Sequence, residues 1–180
     1  MIKPPFTQRL VFKTKCNLMG IKKSVCAHTI FKREKSMIQH DTIELLRECD
    51  AGIQMGISTI DEVKDHVSCS GFRTKLDDYQ REYAQLQNEI QGVLHSYHDE
   101  GKDPNPLAKA MAWLKTNITV AVKETDATIA NLITDGCNMG VKSLNKYLNQ
   151  YKAADDRAQD FARRLIELQD RQIKEINQYL

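Results

Sequence analysis

The chain has 180 residues, enough for one domain with a real core, and only 4 prolines and 8 glycines interrupt it. Charged residues make up 28% and mean hydropathy is −0.51, and no apolar run approaches the roughly 20 residues that cross a bilayer, so no membrane-spanning helix is expected. The net charge of +2 hides an asymmetry: residues 1–38 carry nine Lys or Arg and one acid, and the rest carries 17 basic and 23 acidic residues, a net −6 without the basic stripe that binds nucleic acid.

Residues 1–36 hold Pro4-Pro5 and scattered hydrophobics with no helical or strand period, and no apolar stretch long enough for a secretory signal. This segment reads as a disordered basic leader, or as a start assigned too far upstream, with Met37 the true first residue. A mitochondrial presequence and an arm for nucleic acid or anionic membrane are the other readings. The domain proper is expected at 37–180. Five cysteines, at 16, 26, 49, 69 and 137, include no CxxC pair and form an odd set, which fits free thiols in a reducing cytoplasm.

Helix one is expected over about 41–67, capped by Asp41 or Thr42, with Leu46, Ile53, Ile57, Ile60 and Val67 on one stripe. Ser70-Gly71 supplies the turn. Helix two, about 72–99, has a regular seam of Phe72, Leu76, Tyr79, Tyr83, Leu86, Ile90, Val93 and Tyr97, and Gly101 is placed to close it. Asn105-Pro106 opens a shorter helix with Leu107, Met111, Leu114 and Ile118 on one side, broken within Thr116–Val122 where β-branched residues gather. Helix three, about 123–151, carries Asp126, Ile129, Ile133, Gly136, Gly140, Leu144, Tyr147 and Tyr151 as its stripe. Helix four, about 154–179, turns Ala154, Ala158, Phe161, Leu165, Leu168, Gln172, Ile176 and Tyr179 inward, with Arg164, Glu167, Arg171 and Glu175 on a solvated face.

One phrase occurs twice. Gly52-Ile53-Gln54-Met55-Gly56 returns 84 residues later as Gly136-Cys137-Asn138-Met139-Gly140, and Phe72, Lys75, Leu76 and Gln80 answer to Phe161, Arg164, Leu165 and Gln169. Each glycine costs its helix roughly 1 kcal/mol relative to alanine. The compensating gain expected for Gly52, Gly56, Gly136 and Gly140 is close contact between helices. The fold expected is therefore all-α: an antiparallel four-helix bundle of two repeated hairpins joined by a crossover containing a short helix.

That plan, with Glu48-Cys49-Asp50-Ala51-Gly52, Thr134-Asp135-Gly136 and the segment Pro106-Leu107-Ala108-Lys109-Ala110-Met111-Ala112-Trp113, resembles the ferritin-like superfamily over about residues 40–180. Within it the phrases are similar to those of a bacterial four-helix-bundle family of unknown function. The resemblance implies two metal ions between the helices, held by a Glu on each of two helices and Glu-x-x-His on the other two. No Glu-x-x-His occurs in this chain, and Ile53 and Cys137 stand where acids would be expected after Gly52 and Gly136. Asp50, Asp126 and Glu82 are the remaining candidate ligands. Asp50 near a solvent-reaching edge, Asp126 offsetting a helix dipole and a solvated Glu82 are their structural alternatives. Gln172 is expected to hydrogen-bond across the bundle.

The expectation is a noncatalytic cytoplasmic protein with a structural or interaction role, acting by self-association or through a protein partner, with no cofactor. The alternative is a metal-binding or oxidative-stress protein whose carboxylate-poor site near Asp50 and Asp126 takes iron or manganese.

Overall fold

A computed structural model describes residues 23–99 and 125–180, with side chains from Glu34 onward. Every regular element among the described residues is helical: α1 Lys23–Val63, α2 Ser70–Ser96, α3 Asp126–Gln150 and α4 Asp156–Ile176, with single 3-10 turns at Lys64–His66 and Asn177–Tyr179. The short helix and its break expected between Asn105 and Val122 lie outside the described residues, as do Gly101 and the first 22 residues of the leader.

By contact density the chain divides into Met1–Gln39 and His40–Leu180. In the first unit the expected period-free leader gives way to helix from Lys23. The physical reason is that extending a nucleated helix costs little, and Lys, Arg, Glu, Met and Gln are all good helix formers. Because α1 begins so early, Asp41 and Thr42 are interior helical residues rather than its caps.

In the second unit the connectivity follows from hydrogen bonds at the two ends. The Asp126 carboxylate, at the start of α3, accepts from the Ser68 and Cys69 amides, both at 2.8 Å, in the link from α1 to α2. At the other end Thr42 Oγ1 accepts from the Asp155 amide (2.9 Å) and Asp41 Oδ2 from the Ala153 amide (3.1 Å), and the Tyr97 hydroxyl reaches Asp155. So α1 and α2 are antiparallel, α3 and α4 are antiparallel, and α2 runs parallel to α3. The chain leaves α2 at the end opposite to the one where it enters α3.

The core is the seam the periodicity marks. Phe72, Leu76, Tyr79, Tyr83, Leu86, Ile90 and Val93 of α2 are buried, as are Ala158, Phe161, Leu165, Leu168, Gln172 and Ile176 of α4. Across this pair Lys75, Glu82 and Glu89 form ion pairs with Glu175, Arg171 and Arg164, so the charged residues expected to face only solvent instead line a ladder between two antiparallel helices. Along α3 the buried set is Ile129, Ala130, Ile133, Cys137 and Leu144, and Gly136 is exposed. The seam steps from Ile133 to Cys137 by four residues, where the repeat phrase suggested a step of three to Gly136.

Both ends of α2 depart from the expected chemistry. Ser70 and Gly71 are in the first turn of α2, and the link is Val67–Cys69. At the other end of α2, the Asp99 amide donates to the Leu94 carbonyl and the His98 amide to the His95 carbonyl, the two bonds of a Schellman cap. The left-handed position falls on His98, with φ 57°, and not on Gly101. Thr125 and Asp155 cap α3 and α4, accepting from the amides of Thr128 and Ala158.

Candidate functional site

Among the described residues, apart from Thr42 at one end, buried polar side chains gather in two places. The first lies between α1 and α2. Asp50 is 3% exposed, and its carboxylate accepts from the carboxamides of Gln54 (2.6 Å), Gln91 (3.1 Å) and Gln87 (3.3 Å). It was expected to reach solvent, and it does not. One turn of α1 and two turns of α2 present amide donors to a single carboxylate, which satisfies it without a basic side chain. Nearby at the surface Arg47 makes a forked contact to Asp99, at 2.9 and 2.6 Å, and bonds Glu44 at 2.8 Å, tying α1 to the end of α2 a second time.

The second place is the centre, where α2, α3 and α4 meet. The Tyr83 hydroxyl donates to Gln172 Oε1 at 2.7 Å and the Cys137 thiol donates to the same oxygen at 3.3 Å. Gln172 thus bridges the bundle as its place in the seam suggested. Gln169 lies one turn away, 5% exposed, with its carbonyl oxygen unpaired. Burial pushes the Cys137 thiol up to about 12, and Tyr83 is also driven well above a normal phenol by burial. Cys49, buried on α1, is likewise pushed up to about 12, first by desolvation and then by the charges of Glu48 and Asp50. At neutral pH both buried thiols stay protonated and act as small apolar fillers, since only thiolate is a nucleophile or metal ligand.

The glycines of the repeated phrase occupy different surroundings. A Cβ at Gly56 would stand 3.4–3.6 Å from the Tyr83 ring, and one at Gly140 would fall 2.5–2.9 Å from the Gln169 carboxamide. These two glycines make notches for a side chain of the hairpin partner. A Cβ at Gly52 would meet only Leu165, at 3.9 Å, an ordinary contact, and one at Gly136 would meet nothing within 4 Å. The close-contact expectation therefore does not hold at Gly136, because α3 turns Cys137 inward in its place.

The candidate metal ligands are not brought together. Asp126 spends both oxygens on the Ser68 and Cys69 amides at one end of the bundle. Asp50 lies thirteen residues short of the end of α1 nearest that link, about 20 Å away along the axis at 1.5 Å per residue. Glu82 pairs with Arg171 on the surface. It lines a shallow groove between α2 and α4 with Gln85, Leu86, Arg164, Glu167 and Arg171. Among the described residues no three His, Cys, Asp or Glu side chains converge as a metal site would require.

Comparison of the chain with protein-family models, curated proteins and solved structures finds no match.

Sequence reasoning missed the three glutamines around Asp50. Gln54 was visible as the i+4 neighbour of Asp50, a spacing at which a carboxylate and an amide meet on one helix face. Gln87 and Gln91 had no such signal, because their partner is 37 to 41 residues away on another element. The inward position of Gln169 was also missed, though it immediately follows the seam residue Leu168.

Proposed function

We propose that this chain is a noncatalytic bundle of ferritin-like topology whose role is structural or interactive. The reading of the topology is supported by the helix order, with α1 and α4 running one way, α2 and α3 the other, and a single long connection between α2 and α3. The two hairpins read as a diverged duplication in which Gly56 and Gly140 keep their notches and the occupants differ, Tyr83 in one and Gln169 in the other.

One observation carries the functional part: the centre of the bundle is furnished with neutral groups, Tyr83 and Cys137 donating to the Gln172 carboxamide oxygen and Gln169 one turn away. A dinuclear iron or manganese centre needs several carboxylate and imidazole ligands converging within about 2–2.5 Å of the ions. The residues present do not fit that group. Among the described residues the one deeply buried acid, Asp50, has its oxygens engaged by three amides.

Elemental analysis of the purified full chain, after incubation with iron(II) and manganese(II) and desalting, tests this. The expected result is less than one tenth of an equivalent of either metal. Two equivalents that disappear in Asp50→Ala would overturn the reading and establish the metal-binding alternative.

A further inference from the structure

We propose that the outer side of α3 is a docking surface for a second copy of this chain, paired antiparallel across a two-fold axis beside Met139. This deepens the interactive role proposed above and rests on it. Asp135, Met139, Lys142 and Lys146 recur at intervals of four, three and four, and all four are exposed. Such positions form one row along a helix. The row lies opposite the buried Ile133, Cys137 and Leu144. Met139, at its centre, is 55% exposed; in the bundle the other exposed large hydrophobic among the described residues is Leu180.

Charge complementarity selects the occupant. The helices α2 and α4 neutralise charge within the chain, pairing Lys75 with Glu175, Glu82 with Arg171 and Glu89 with Arg164. Asp135 and Lys142 have no ion-pair partner among the described residues. They carry opposite charges, flank Met139, and stand seven positions apart, about 10 Å at 1.5 Å per residue. A row with such ends is complementary to itself turned end for end. When a second α3 lies antiparallel with its Lys142 beside Asp135, the same two-fold sets its Asp135 beside Lys142. Met139 then comes level with the second copy's Asn138, within one turn of its Gly136. A Cβ at Gly136 would meet nothing within 4 Å, so the helix surface has a gap there that a flexible methionine can enter. A parallel pairing would instead set Asp135 on Asp135 and Lys142 on Lys142, and like charges disfavour it. An unrelated partner would need a matching row of its own, whereas a second copy carries it by symmetry.

The test is sedimentation equilibrium of the full chain from about 1 to about 500 μM, a range that captures the weak association expected of one helix face against another. Expected is a monomer–dimer equilibrium weakened by salt. Asp135→Lys and Lys142→Asp should each weaken the dimer about tenfold, because under a two-fold each substitution acts twice. The double substitution Asp135→Lys with Lys142→Asp makes the row self-complementary again and should restore the dimer to within about threefold of the parent. Met139→Ser should also weaken it. Circular dichroism melts at the lowest concentration should match the parent for each variant, because the altered side chains are at the surface. A monomer throughout the range overturns the proposal, and elemental analysis still decides the metal-free reading of the bundle separately. A dimer indifferent to both single reversals overturns this surface and keeps self-association, as does a double reversal that fails to restore pairing.

Discussion

At the scale of single residues, identical letters in a repeated phrase carry different energies. Gly136 faces open space, so Gly136→Ala gains the helix propensity that glycine forfeits, about 0.5–1 kcal/mol, and meets no obstacle. A thermal melt should show a higher midpoint. Gly56→Leu and Gly140→Leu push bulk into the Tyr83 ring and the Gln169 carboxamide, and each is expected to cost about 1–3 kcal/mol. Gly136→Leu, in the same melt, should be tolerated. Equal effects at all three positions would remove the argument for notches. His98 offers a separate test: it sits at φ 57°, where a Cβ costs roughly 1 kcal/mol. His98→Gly should therefore raise stability by a few tenths to 1 kcal/mol at the end of α2.

At the scale of elements, polar groups at the helix flanks and ends hold the hairpins together as surely as the seam does. Asp50 accepts from three glutamines on two helices. Asp50→Ala takes the shared acceptor away from three carboxamides at the half-buried flank of the hairpin, an expected loss of about 1–2 kcal/mol by urea denaturation. Asp50→Asn, which keeps one carbonyl oxygen for them, should lose less than half as much. Thr42, fully buried, and Asp41 hold the turn between α3 and α4, and Thr42→Val should cost about 1 kcal/mol for the lost bond to the Asp155 amide. These side chains are of the type that caps helices, and they do satisfy free backbone amides at a helix start. The helix they serve is α4, more than a hundred residues away.

At the scale of the whole molecule, acidity and thiol chemistry report on the assembled bundle. Glu89 and Glu175 are held below the ordinary carboxylate range by hydrogen bonds from Arg164 and Lys75. A carboxyl depressed in the folded state contributes stability that is present above its unfolded pKa, near 4.5, and is lost as pH falls through the lower folded value. The melting midpoint should therefore decline below about pH 4.5, and part of that decline should vanish in Glu89→Gln. Both pairs are largely exposed, so the effect is small and weakens in salt. The three described thiols separate by burial: Cys69 is exposed, and Cys49 and Cys137 are buried and pushed up to about 12. Alkylation at pH 8 followed by peptide mapping should mark Cys69 within minutes and the other two only after denaturant is added.

Much of the helical seam was readable from spacing, because a stripe at three and four residues is a local property of one element. The seams of α2 and α4 were legible in this way almost residue for residue. The limits of legibility were set by geometry between elements. Asp50 reads as an edge residue until Gln87 and Gln91 close over it, and Gly136 and Cys137 exchange roles with a small rotation of α3 that no local pattern records. Apolar burial is nondirectional and follows periodicity, so the sequence alone determined helix, stripe and all-α class. Hydrogen bonds are directional and short, so only the tertiary structure decided which amides meet Asp50, which turn Thr42 caps and which glycine receives a side chain.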